Sequence, residues 1–127
     1  MRITSITKKS LLVISIALVS PFVTADDSVS ARTIASILAD LNHFPSDEAK
    51  TQLMAIESDG TTSGDFKTIA RAVHDLQHTV GTDSRDDLND IASDDNADPT
   101  ARELAQIVMN IEHTADEAAK ARLQELR

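Results

Sequence analysis

Histidine is the residue type in this sequence with the clearest capacity for chemistry. The chain has four histidines and no cysteine. His74 and His78 are four residues apart, so on a helix they share one face, where two imidazoles can bind Zn²⁺, Cu²⁺ or Ni²⁺ if a further ligand joins them. This pair is the predicted metal site, and no resident cofactor is predicted.

The same pair belongs to a short motif. His74, Asp75 and His78 read His-Asp-x-x-His, which resembles the metal-binding helix of the zincin metalloproteases, with Asp in place of the family's Glu. The resemblance implies a zinc hydrolase. The resemblance covers five residues. Asp40 and His43 have the same spacing as Asp75 and His78, but no histidine directly precedes Asp40. The repeat therefore already explains Asp75 and His78, and only His74 is specific to the motif. No third ligand follows, and we expect no enzyme.

Three of the histidines are spaced at a constant interval of 35 residues. Each is predicted to fall where a helix ends, so its imidazole is expected to bond the last free carbonyls and to meet the negative helix terminus. Units of packed helices lie about 8–10 Å apart, so one ion is not expected to collect all three unless the units are strongly twisted. The recurring polar positions are His43, His78 and His113; Asp40, Asp75 and Asn110; and Lys50, Arg85 and Lys120.

Apolar residues follow the same interval and predict the helices that must position these side chains. In the first helix of each unit they recur at offsets 0, 3, 4 and 7, which is typical of an amphipathic helix. Leu53, Leu88 and Leu123 mark the second helix of each unit. The predicted helices are near 30–43, 46–58, 64–79, 83–93, 99–113 and 115–126.

The resulting fold class is all-α, with three 35-residue helical-hairpin repeats. The predicted domain spans 33–127, in units 33–67, 68–102 and 103–127, after a lead-in at 26–32. Helices of about three turns are not stable alone, so the six must form one cooperative domain, either a small α-solenoid or a compact bundle. Tetratricopeptide and ankyrin repeats have periods close to this one, but their signature residues are missing.

The amino terminus predicts a secretory signal peptide over 1–25. Arg2, Lys8 and Lys9 precede a short apolar run, and Val23 and Ala25 suit a signal peptidase. We therefore expect a periplasmic or secreted protein with no stable membrane insertion after cleavage. Cleavage changes the formal charge from −9 to −12, because residues 1–25 carry three basic groups and no acidic one.

This acidic balance and the scarcity of aromatic residues argue against nucleic acid as a partner. Helical-repeat domains commonly bind other proteins, so the expected function is a binding module for a protein or peptide partner of basic character, as an adaptor, an inhibitor or immunity protein, or an envelope-stress holdase. The alternative is metal binding by His74 and His78. The predicted docking residues are Asp86, Asp87, Asp90, Asp94, Asp95 and Asp98.

Overall fold

A computed structural model describes residues 25–127, and over that range the chain folds into six α-helices with no strand. The all-α prediction is confirmed, and none of these helices is long and apolar enough to cross a membrane. The predicted signal peptide lies outside the described residues except for Ala25. The helices are α1 (Ala25–Ala39), α2 (Asp47–Ser58), α3 (Gly64–His74), α4 (Thr82–Ser93), α5 (Pro99–Met109) and α6 (Glu117–Leu126).

Short polar side chains begin several of the helices, as the sequence predicts. Ser46 Oγ accepts a hydrogen bond from the Ala49 N–H at the start of α2. Asp98 Oδ1 accepts from two N–H groups at the start of α5, where Pro99 occupies the first turn. These oxygens satisfy N–H groups that have no partner within the helix. The even-numbered helices begin at intervals of 35 residues, although Gly81 begins α4 without a side-chain cap.

The odd-numbered helices end four or five residues earlier than predicted. They stop at Ala39, His74 and Met109, whereas the periodicity predicts ends near 43, 79 and 113. The error has a physical cause: Leu41, at an apolar phase of the helical pattern, is buried by a turn of the chain rather than by a further turn of helix. Leu76 and Ile111 occupy the corresponding positions and are buried in the same way.

The helices form a closed bundle rather than an open solenoid. α1, α3 and α5 contact one another at the centre, and each even-numbered helix packs on an odd-numbered one: α2 on α3, α4 on α5, and α6 on α1. The last helix therefore encloses the first. Of the two arrangements that the sequence leaves open, the compact bundle describes this fold.

The core of the bundle is almost entirely aliphatic. Leu53, Leu88 and Leu123 on the outer helices are each fully buried, and Phe66 is the one large aromatic side chain among the buried described residues. Full burial of a leucine side chain contributes about 1.5–3 kcal/mol relative to exposure. The burial of Leu123 in α6 shows that the end of the chain is packed as well as its middle.

Candidate functional site: three histidines around one centre

The site is formed by the loops that follow α1, α3 and α5. In each loop one buried apolar residue lies two positions before the histidine and another lies two positions after it. The loop is therefore anchored on both sides while the imidazole remains exposed. The anchoring pairs are Leu41 and Pro45, Leu76 and Val80, and Ile111 and Ala115. The core thus fixes the backbone of each histidine at the surface.

His43, His78 and His113 adopt an unusual backbone conformation. Their φ angles are 73°, 66° and 74°, and they are the described non-glycine residues with positive φ. Around His43 the N–H of Phe44 bonds to the carbonyl of Asn42 at 2.9 Å, closing a three-residue turn of a strained type. A left-handed residue costs roughly 1–2 kcal/mol unless it is glycine. A residue other than glycine keeps such a conformation only where the surrounding structure imposes it, and the three histidines share this feature.

Backbone hydrogen bonds join the three histidines in a closed cycle. The N–H of His43 donates to the carbonyl of His113 at 2.7 Å, that of His113 to His78 at 2.7 Å, and that of His78 to His43 at 3.0 Å. Each loop therefore donates to one neighbour and accepts from the other. This cycle brings the three residues around a common centre and holds them in register.

The imidazole rings meet at this centre. Their centroids lie 5.4 Å apart for His43 and His78, 5.2 Å for His43 and His113, and 4.9 Å for His78 and His113. The expectation of about 8–10 Å between units is wrong, because that spacing applies to helix axes and these residues lie on loops that converge beyond the helix ends. The capping role is not observed: across residues 25–127 none of these imidazoles bonds to a helix carbonyl.

This geometry is close to that of a metal centre. One ring nitrogen from each histidine lies within 4.8 Å of the other two, and among the described residues this is the one group of three or more such ligands. Around Zn²⁺, with Zn–N bonds of about 2.1 Å, tetrahedral ligand nitrogens lie about 3.4 Å apart. Exposed imidazoles can close that difference by rotating about their side-chain bonds, with the backbone unchanged.

A neighbouring side chain favours one tautomer of the His43 ring. Nδ1 of His43 lies 2.7 Å from Oδ1 of Asn42, and because an amide oxygen only accepts, this contact is a hydrogen bond in the tautomer that carries its proton on Nδ1 and keeps the Nε2 lone pair. Partners of this kind orient metal-binding histidines in proteins. Gln77 and Glu112 precede the other two histidines and also carry side-chain oxygens.

Only one member of the predicted metal pair belongs to this cluster. His78 is in it, whereas His74 is the last residue of α3 and its Nδ1 donates to Asp75 Oδ1 at 2.8 Å. Helical spacing related His74 to His78, but α3 ends between them. The 35-residue recurrence of the histidines was the signal that pointed to the three residues that the fold brings together, and the length assigned to the helices concealed it.

The predicted docking residues do not form one uniform surface. Asp86, Asp87 and Asp90 are exposed along α4, and Asp95 is exposed with its carboxylate 3.8 Å from Arg102. Asp94 is exposed and its side chain accepts a hydrogen bond from the Asn96 N–H. Asp98 departs from the prediction, because it is half-buried and its carboxylate is the amino-terminal cap of α5.

No family model matches the chain, and no curated protein or solved structure shows significant similarity to it. The geometry of the histidine cluster is therefore the feature that points to a function.

Proposed function

We propose that this protein binds a divalent late first-row transition-metal ion, Zn²⁺, Ni²⁺ or Cu²⁺, through the imidazoles of His43, His78 and His113. One observation carries the proposal: three ring nitrogens from residues 35 positions apart lie within 4.8 Å of one another. Neutral imidazole is a favoured ligand of these three ions.

The backbone supports this assignment over a purely structural role. The rings are exposed, so their mutual packing removes little apolar surface from water and contributes little to folding. Their strained conformation opposes folding, and glycine would relieve it. A ligand that binds only the folded state would offset that strain.

The proposed location is the periplasm or the exterior of the cell. It depends on the signal peptide predicted for residues 1–25. In such a compartment a site without cysteine suits metal binding, because imidazole does not form disulfides under oxidising conditions. The proposed function is capture or carriage of the ion rather than catalysis.

The direct test is calorimetric titration of the untagged protein with Zn²⁺ and Ni²⁺. We expect one ion per chain, and an affinity reduced by about 100-fold or more in His43→Ala, His78→Ala or His113→Ala, since loss of a ligand exceeds the 10–100-fold effect of losing a residue that supports one. The matched control is His74→Ala, which is expected to bind like the wild type.

Two results would count against the proposed site. Unchanged binding in His113→Ala would show that the three histidines do not act together. A loss in His74→Ala as large as that in His78→Ala would favour the pair predicted from helical spacing. Bound metal should also raise Tm in proportion to the logarithm of its free concentration above Kd.

A second proposed role is docking of a basic peptide on α4, supported by the exposure of Asp86, Asp87 and Asp90 without an ion pair among the described residues. The test is titration with an oligolysine peptide at low and high salt. Reversing Asp86 and Asp87 to Lys should weaken binding and reduce its salt dependence. Reversing Asp47 and Glu48 on α2 changes the net charge equally and is the control. Equal losses of peptide affinity in the two variants would show that α4 is not a specific docking site.

A further inference from the structure

An ion held by the three histidines keeps coordination positions open. Three imidazoles leave one position of a tetrahedral Zn²⁺ ion and three positions of an octahedral ion. Because all three histidines are exposed, these positions face the surrounding solution rather than the core. The structure next to the cluster therefore decides which additional ligand the ion accepts.

A groove of about 560 Å³ lies beside the cluster, between the loop after α1 and the end of α3. His78 lines this groove, as do the exposed ring of Phe44 and the amide side chain of Gln77. The volume is within the usual range for small-molecule sites. A ligand bound to the ion can therefore extend into the groove from the position of His78.

Lys50 supplies a positive charge to the same groove. Its side chain is half-buried, and its ammonium makes no hydrogen bond or ion pair with any other described residue. The carboxylate that lines the groove, Asp75, already accepts from His74 at 2.8 Å. Lys50 is thus available to an anion from solution.

The corresponding position of the next unit is arranged differently. Arg85 occupies the place of Lys50 there, and its guanidinium donates to the carbonyl of Met109 at 3.0 Å, at the end of α5. Arg85 therefore stabilises the protein's own backbone, whereas Lys50 does not. Lys120, at the same position of the third unit, also makes no side-chain hydrogen bond or ion pair with a described residue, but Lys50 is the one that lines this groove together with His78 of the cluster.

We propose that the metal ion binds together with a small dicarboxylate, an inference that rests on the proposed metal site. One carboxylate replaces water at the open positions of the ion, and the other pairs with Lys50 in the groove. The protein is strongly acidic as a whole, so an anion is attracted only where the ion and Lys50 concentrate positive charge. The bound species is then a metal–carboxylate complex, and the protein recognises the ion together with its carboxylate ligand.

The experiment has two stages, so that the two proposals fail separately. Ni²⁺ binding is measured first without carboxylate, and absence of binding at this stage rejects the metal site and the present inference together. Succinate, whose longer chain makes chelation of one ion by both carboxylates less favourable, is then titrated into the Ni²⁺-loaded protein, and binding is followed by calorimetry and by the visible absorption of the ion. Acetate, which has one carboxylate, is the comparison ligand.

We expect Lys50→Met to leave Ni²⁺ affinity unchanged and to weaken succinate binding by about fivefold, the effect of losing one ion pair. Acetate binding should not change in this variant. Lys67→Met, which removes the same charge at the other end of α3, should behave like the wild type. The inference is overturned if succinate does not bind, if it removes Ni²⁺ from the protein, or if Lys50→Met binds succinate as tightly as Lys67→Met.

Discussion

The backbone N–H of His43 donates a hydrogen bond of 2.7 Å to the carbonyl oxygen of His113, which lies two 35-residue intervals further along the chain. This bond joins the first of the three loops to the last. The helices also close the bundle: α6 packs against α1, just as α2 packs against α3 and α4 against α5. The first and last of the described helices are therefore neighbours, which is not the case in an open stack.

Closure predicts similar stability losses when the equivalent leucines of the outer helices are truncated. Leu53→Ala, Leu88→Ala and Leu123→Ala should each reduce the free energy of unfolding by about 2–5 kcal/mol, because each removes a fully buried side chain. An open stack predicts the largest loss at Leu88, in its middle. Urea unfolding of the three variants measures the difference, and a clearly smaller loss at Leu123 would contradict a closed bundle.

The left-handed histidines predict that glycine is better tolerated than alanine at these positions. At φ 66° glycine is free of the strain that alanine retains, so His78→Gly should be more stable than His78→Ala by about 1 kcal/mol. Both variants should lose the metal site. Thermal unfolding without metal gives the first comparison and calorimetric titration the second.

The control for that comparison is an exposed position within a helix. Ala121→Gly in α6 should lower stability by about 1 kcal/mol, since glycine is unfavourable in a helix interior. If glycine is the less stable choice at position 78 as well, the backbone there is not strained in the way the φ angle indicates.

Asp65, at the end of the bundle away from the histidines, makes the free energy of unfolding depend on pH. Burial, together with the charges of Asp94, Asp27 and Asp98, raises the pKa of Asp65 above its ordinary value of 3.8. Since the folded pKa exceeds the unfolded one, the associated stability is fully present below pH 3.8 and is lost as pH rises through the folded pKa. At neutral pH the Asp65 carboxylate therefore destabilises the fold.

Asp65→Asn should accordingly raise Tm at pH 7. The gain in the free energy of unfolding should be less than about 1 kcal/mol, because the side chain is partly exposed. The gain should disappear below pH 3, where Asp65 is itself neutral. Asp83→Asn, an exposed change in the first turn of α4, is the control and should give no gain. A Tm increase for Asp65→Asn that is equal at both pH values would refute the electrostatic explanation.

Asp98 is predicted to act in folding rather than in docking. Its carboxylate satisfies the N–H groups of Thr100 and Ala101, so Asp98→Ala should lower stability by about 1 kcal/mol. Asp86→Ala, on the exposed face of α4, should leave Tm nearly unchanged. Equal melting temperatures for the two variants would show that Asp98 does not stabilise the fold as a cap, and Asp98 would again count among the proposed docking residues.

Local patterns in the sequence determine the all-α class and most of the helix starts. Apolar residues at helical spacing and the caps at Ser46 and Asp98 act within a few residues of themselves, so they can be read without knowing the fold. The 35-residue interval likewise selects His43, His78 and His113 as equivalent residues. It does not reveal whether equivalent residues meet.

Tertiary packing decided where the helices end and where the histidines meet. The helical pattern continues through Leu41, yet that side chain reaches the core by a turn of the chain, because closing the bundle requires the loops to converge. Hydrogen bonds between loops 35 and 70 residues apart then hold the histidines in a left-handed conformation. No local preference encodes such contacts, so the sequence alone identified the three imidazoles and only the closed fold placed them within reach of one ion.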